Sequence, residues 1–123
     1  MFVRSGTTWT QQAQLNASDG GAGDNFGWSV AVRGDTVAVG AYLDLVGTNS
    51  EQGSVYIFTR SGTTWTQQQK LNNADALAFD QFGYSLAMSG DTLVVGTVLG
   101  HVGGIPIPLG SAYVFVRNGA TWT

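Results

Sequence analysis

The stretch DNFGWSVAVRGDTVAVG at residues 24–40 returns as DQFGYSLAMSGDTLVVG at residues 80–96, 56 positions later. Upstream of it, SGTTWTQQ at residues 5–12 is repeated without change at residues 61–68, with the same spacing. The chain of 123 residues therefore holds two copies of one unit. A repeat of this length is typical of solenoids and propellers, whose blades each need a neighbour to cover their apolar faces.

Each unit has the pattern of four short β-strands. Residues 27–32 and 36–40 are rich in valine and flank Gly34, which is placed for a tight hairpin turn. Residues 54–60 form a third apolar run, and residues 65–71 form a fourth that is rich in glutamine and threonine, as expected of an outer strand. No segment shows the apolar spacing of a helix. The sequence predicts an all-β fold of four-stranded antiparallel propeller blades, two per chain.

The units resemble the FG-GAP repeats of integrin-α-type β-propellers, especially those of bacterial extracellular proteins. The resemblance rests on a Phe-Gly pair before the first strand and a Val-Gly pair ending the second: Phe26-Gly27, Val39-Gly40, Phe82-Gly83 and Val95-Gly96. It implies a ring of blades that binds partners or ligands through loops on one face, in a secreted or cell-surface parent protein. Many such repeats carry a calcium loop between the first two strands, but the turns at Gly34 and Gly90 are too short for one. We expect no metal and no cofactor.

Composition and charge exclude several classes of protein. Only 11% of residues are charged and the net charge is −3, so there is no basic surface for nucleic acid. The chain has no cysteine and one histidine, which excludes a disulfide framework and a Cys/His metal centre. Glycines and both prolines interrupt the longest stretch of low charge, at residues 92–118, so it predicts no membrane span. Because no catalytic triad or phosphate-binding loop is present either, we expect a protein that is not an enzyme.

The loop between the second and third strands differs most between the two units. At residues 43–53 it reads LDLVGTNSEQG, whereas at residues 99–110 it reads LGHVGGIPIPLG and has lost every carboxylate. An apolar loop of this kind needs cover, either from a neighbouring blade or from a partner. The carboxylates of the first loop could also hold a hard cation, although their spacing matches no recognised cation loop. The candidate partner-contact residues are Asp44, Asn49, Glu51, His101, Ile105 and Ile107.

The order of the strands predicts assembly of the chain with copies of itself. The whole of residues 1–123 is expected to form one propeller fragment, with blade 1 at residues 24–71 and blade 2 at residues 80–123. Residues 8–15 have the sequence of a fourth strand but precede blade 1, and blade 2 lacks a complete fourth strand of its own. We expect a cyclic trimer or tetramer in which residues 8–15 complete blade 2 of a neighbour. The residues expected in this inter-chain strand are Trp9, Gln11, Gln12 and Leu15.

The function predicted from these features is that of a non-catalytic binding or structural module that assembles into a closed ring. Two other interpretations stay open. One is a lectin-like propeller that binds small glycans between blades through Trp28 or Tyr84 and polar groups of the loops. The other is a minimal propeller fragment, natural or engineered, whose main property is self-assembly. A glycan or a protein is the ligand class that these interpretations allow.

Overall fold

The computed structural model describes residues 1–102 and 105–123, and this part of the chain folds entirely into strands, turns and loops. It contains no helix that could cross a membrane. The strands in chain order are β1 (Phe2–Ser5), β2 (Thr8–Gln11), β3 (Ser29–Arg33), β4 (Thr36–Ala41), β5 (Ser54–Ser61), β6 (Thr64–Leu71), β7 (Ser85–Ser89), β8 (Thr92–Gly96), β9 (Gly100–Val102), β10 (Ile105–Ile107), β11 (Ala112–Asn118) and β12 (Thr121–Trp122).

Two four-stranded antiparallel sheets form the body of the molecule. Blade 1 has the strand order β3-β4-β5-β6, and blade 2 has the order β7-β8-β11-β12. In blade 1 the turn at Gly34 sets the register, so that Arg33 lies opposite Thr36 and Val30 lies opposite Val39. The all-β architecture of antiparallel four-stranded sheets predicted from the sequence is confirmed.

Two short hairpins accompany the blades. β1 pairs with β2 to form a separate two-stranded sheet, and residues 12–15 leave this hairpin to pass along blade 1. The loop between the second and third strands, at residues 43–53 of blade 1 and 99–110 of blade 2, is called the long loop below. In the long loop of blade 2, β9 pairs with β10, with Ile107 opposite Gly100. The sequence predicted an apolar loop here and no strands. Glycine and proline interrupt this stretch, and both weaken the strand pattern in sequence.

The main hydrophobic core lies between the two blades. Phe82 is fully buried there, and its ring meets those of Tyr113 and Phe115 edge-on at centroid distances of 5.7 and 5.9 Å. Blade 1 contributes small and branched side chains to the same core, and blade 2 contributes larger ones. The buried members are Ala38, Val55, Ile57 and Leu71 from blade 1 and Phe82, Leu93, Val95 and Trp122 from blade 2.

The backbones of the two blades come close together at Gly83, just before β7. Its φ of +89° lies in the region that favours glycine, and a Cβ there would lie 2.7 Å from the carbonyl oxygen of Ser54. The Ser29 hydroxyl donates a hydrogen bond to the Gly83 carbonyl at 2.6 Å. Both the backbone conformation and the space therefore require glycine after Phe82.

Replacement of Phe82 by alanine should cost about 3 kcal/mol or more of unfolding free energy, because it empties a fully buried site. The matched control is Phe26→Ala at the same position of the first unit. Phe26 meets Tyr56 and Phe58 in the same edge-on geometry but is only partly buried, so its loss should cost clearly less. Urea denaturation of the two variants measures the difference, and equal losses would contradict this account of the core.

Candidate functional site

Blade 1 has an apolar face turned away from blade 2, which we name the leading face. Its members hold the repeat positions at which blade 2 packs on blade 1: Phe26, Val30, Val32, Val37 and Val39. Met1 and Leu15 from the N-terminal segment cover part of it. The uncovered part is a groove of about 370 Å³, in which Val30 and Val32 are 65% and 62% exposed. A surface with the composition of a core is therefore open to solvent.

Blade 2 has the complementary face, which we name the trailing face. Its members hold the positions at which blade 1 packs on blade 2: Val94, Ala112 and Val114. Val94 and Val114 are 36% and 62% exposed, whereas their counterparts Ala38 and Ile57 in blade 1 are fully buried. Each outer side of the two-blade unit therefore presents one half of the kind of interface that joins blade 1 to blade 2, and both halves are exposed to solvent.

The residues expected in the inter-chain strand fall into two groups. Trp9 and Gln11 lie in β2, where both side chains are exposed. Gln12 and Leu15 contact blade 1 of the same chain. The Gln12 carboxamide oxygen accepts a hydrogen bond from the Trp65 indole at 2.9 Å, and Leu15 packs on the leading face. The segment is therefore anchored along blade 1 at one end and pairs with β1 at the other.

An ionic cluster holds the N-terminal segment and the long loop of blade 1 together. The Lys70 ammonium lies 2.7 Å from an oxygen of Asp19 and 2.8 Å from an oxygen of Asp44. The Tyr56 hydroxyl donates to Asp19 at 2.9 Å, and the Ser54 hydroxyl donates to Asp44. Asp44, a candidate for partner contact, is only 3% exposed because Lys70 and Ser54 draw its carboxylate inward.

The cluster changes the titration of its members. The hydrogen bond from Lys70 lowers the pKa of Asp19. Burial raises the pKa of Tyr56 to about 12, and the bond to Asp19 adds to the rise. Burial alone would lower the pKa of Lys70, but its bonds to Asp19 and Asp44 outweigh this and raise it. All three pKa shifts favour, at neutral pH, the forms that make these bonds: the Asp19 carboxylate, the Tyr56 phenol and the Lys70 ammonium.

Asn49 and Glu51, the other candidates in the first loop, make contacts outside the ionic cluster. The Asn49 amide donates to the Gln52 side chain at 2.8 Å. A carboxylate oxygen of Glu51 accepts from the Gln81 amide at 3.0 Å, which links the loop of blade 1 to the segment leading into blade 2. Glu51 therefore contacts the segment that leads into the following blade.

The candidates in the second loop are arranged differently. His101 is 10% exposed at its side chain, and its Nδ1 lies 2.6 Å from Asp80 Oδ1. Ile105 is 66% exposed, and Ile107 is partly exposed. In the described residues, no group of three or more Asp, Glu or His side chains lies close enough to hold a metal ion. The six candidates do not converge on one site.

Three aromatic rings meet at the end of the blades where β3 and β7 begin. The Trp28 ring lies 4.9 Å from that of Tyr42 and 5.7 Å from that of Tyr84, and the two tyrosine rings are 5.3 Å apart. Trp28 and Tyr84 are 53% and 40% exposed, and the Tyr42 hydroxyl accepts from the Asn25 amide at 3.1 Å. We name these three residues the aromatic cluster.

Sequence reasoning named Trp28 and Tyr84 but missed Tyr42 and Lys70. Tyr42 stands where the second unit has Val98, and Lys70 stands where the first stretch has Gln14. Departure from the repeat was therefore the signal that could have found them. The sequence did not show that either side chain turns toward a second group.

The opposite end of the blades holds a polar groove of about 490 Å³ between the tight turns. Arg60 donates to Asp35 at 2.8 Å, and Arg117 donates to Asp91 at 2.7 Å in the second unit. Because both pairs occupy equivalent positions and are largely solvated, we assign them to the scaffold.

Comparison with known families places the repeat. The FG-GAP repeat family matches residues 9–58 and 65–115, which together make up more than half of the chain. The first match runs from β2 to the third strand of blade 1, and the second runs from the fourth strand of blade 1 to the third strand of blade 2, so the second match spans parts of two blades. No curated protein matches the chain.

The ionic cluster predicts a loss of stability in alkali. The folded chain favours the protonated phenol of Tyr56, whose pKa is about 12 against the ordinary 10.0. This contribution is complete below pH 10 and is lost as the pH rises through 12. Unfolding free energies measured between pH 9 and 12 should therefore fall less steeply for Tyr56→Phe. A Tyr56→Phe variant with the wild-type slope would refute the assignment.

Proposed function

The chain belongs to the FG-GAP repeat family, and we propose that it is a non-catalytic binding and structural module that assembles with copies of itself into a closed β-propeller. FG-GAP repeats are typical of extracellular or surface proteins. We assign the parent protein to that setting, with an adhesion-type role. The partner in assembly is a second copy of the chain.

The complementarity of the leading and trailing faces carries this proposal. Within the chain, the trailing side of blade 1 packs on the leading side of blade 2 through equivalent repeat positions. Applied once more, the same rotation would set Val94 and Val114 of one copy against Val30 and Val32 of the next. A dimer would still leave two faces open, whereas a closed ring leaves none.

The free edge of blade 2 supports a shared strand. β5 pairs with β6 from Val55 to Ser61, but β11 pairs with β12 only at Arg117 and Asn118. Residues 11–15 (QQAQL) match residues 67–71 (QQQKL), which cover the corresponding part of β5. We propose that residues 8–15 of a neighbour take this edge and that its Trp9 replaces Trp122. The neighbour's Gln12 and Leu15 can keep their contacts with its own blade 1.

The size of the ring follows from two blades per chain. Three copies give six blades and four copies give eight, so the proposal is a cyclic trimer or tetramer. Both are closed assemblies of one heterologous interface.

Light scattering of the 123-residue chain should give three or four times its mass of 12.9 kDa. Deletion of residues 1–15 uncovers the leading face and removes the shared strand, so this variant should aggregate. A well-folded species of 12.9 kDa at micromolar concentration would contradict self-assembly.

The aromatic cluster favours a second function, the binding of small glycans between blades. Trp28 and Tyr84 present exposed ring surface from two adjacent blades, and the Tyr42 hydroxyl and Asn25 provide polar groups beside them. The three rings contact one another, so no ligand fits between them. A sugar ring would instead stack on their outer surface, with its hydroxyl groups directed to these polar groups.

A glycan array tests this second function. We expect binding by the wild-type chain and at least about a fivefold weaker signal for Trp28→Ala, since stacking of this kind contributes roughly 1 kcal/mol or more. Leu45→Ala removes another exposed apolar side chain, outside the aromatic cluster, and should leave the signal unchanged. Absence of wild-type binding, or equal loss in both variants, would count against the glycan site.

A further inference from the structure

A ladder of backbone hydrogen bonds joins the long loop of blade 1 to the segment that leads into blade 2. Three consecutive carbonyl groups of the loop accept from three amides of that segment. The pairs are Phe79 N to Ser50 O at 2.9 Å, Gln81 N to Glu51 O at 3.0 Å and Phe82 N to Gln52 O at 2.8 Å. This ladder fixes the position of the second blade on the first independently of any side chain.

The equivalent amides in front of blade 1 belong to Gly23, Asn25 and Phe26. Among the described residues, these three N–H groups have no hydrogen-bond partner, although the backbone has the same shape. Asn25 has a φ of 56° where Gln81 has 58°, and Gly23 has 95° where Phe79 has 71°. The donors are therefore held in the docked conformation before anything docks on them.

The acceptors equivalent to Ser50, Glu51 and Gln52 are Ile107, Pro108 and Leu109 in the long loop of blade 2. Proline has no N–H but keeps its carbonyl, so it is suited to a position that only accepts. The side chains of Pro108 and Leu109 are exposed, the latter to 66%. Donors and acceptors thus stand on opposite sides of the two-blade unit.

We propose that residues 107–109 of one copy dock on residues 23–26 of the next through this ladder, which gives the assembly its direction. The inference rests on the proposed self-assembly and names its contact residues. A second copy is the occupant because the same ladder already joins the two equivalent segments inside the chain. Ser85 adds a further bond, since its counterpart Ser29 donates to Gly83 and the corresponding acceptor is Gly27.

Gly27 provides a specific test. A Cβ added at Gly27 meets nothing within 4 Å in the single chain, whereas one at the equivalent Gly83 would clash with Ser54 of the preceding blade. Gly27→Ala should therefore collide with Ser111 of the docked copy. Gly23→Ala is the matched control, because its φ of +95° is close to the +93° of Gly27 and the second unit tolerates Phe79 at that position.

Sedimentation over a dilution series measures the association of the wild type and both variants. We expect Gly27→Ala to weaken association at least about tenfold relative to Gly23→Ala, a difference of about 1.4 kcal/mol. Amide hydrogen exchange on the wild type supplies a readout that needs no variant. The amides of Gly23, Asn25 and Phe26 should exchange slowly in the assembly and rapidly in dilute monomer, whereas that of Phe82 should stay slow in both.

The outcomes separate the two proposals. A wild type that remains monomeric overturns self-assembly and the docking ladder together. A wild type that assembles while the amides of Asn25 and Phe26 exchange rapidly, or while Gly27→Ala associates as well as Gly23→Ala, overturns the ladder and leaves self-assembly standing. If Gly27→Ala does not fold, the exchange rates of the wild type decide.

Discussion

The contact between the blades depends on two consecutive residues, Phe82 and Gly83. The Phe82 ring fills the space between the blades, and Gly83 allows the backbones of the two blades to approach each other closely. Each sheet has apolar side chains on both faces, so neither is stable in water without a neighbour. The ladder from residues 50–52 and the hydroxyl of Ser29 then align the blades laterally. The core between the blades and their alignment both depend on this one contact between consecutive units.

The repeat and the valine-rich runs between tight turns were enough to predict the blades. Two lines of evidence agreed there: the turn at Gly34 sets a hairpin, and the equivalent turn at Gly90 does the same in the second unit. The β9–β10 hairpin could not be predicted in this way. It has no counterpart in the first unit, where Val46 and Asn49 form only an isolated bridge, and proline hides its strand pattern.

The candidate site was less accessible to sequence reasoning because its contacts join distant parts of the chain. Asp44 looked like an exposed loop carboxylate, but Lys70 lies 26 positions further on and binds it in the interior. Tyr42 lies far in sequence from Tyr84, although their rings touch. A repeat marks which positions differ, whereas the fold decides whether a differing side chain turns inward, toward the next blade or to solvent.

The family unit and the blade are out of phase, since the second match starts in the fourth strand of blade 1 and ends in the third strand of blade 2. A unit of this kind therefore includes the connection between two blades as well as most of one blade. Duplication of a whole unit in the gene adds one blade together with the segment that connects it to the preceding blade. A propeller made of such units can change its blade number in single steps without creating an unpaired internal strand.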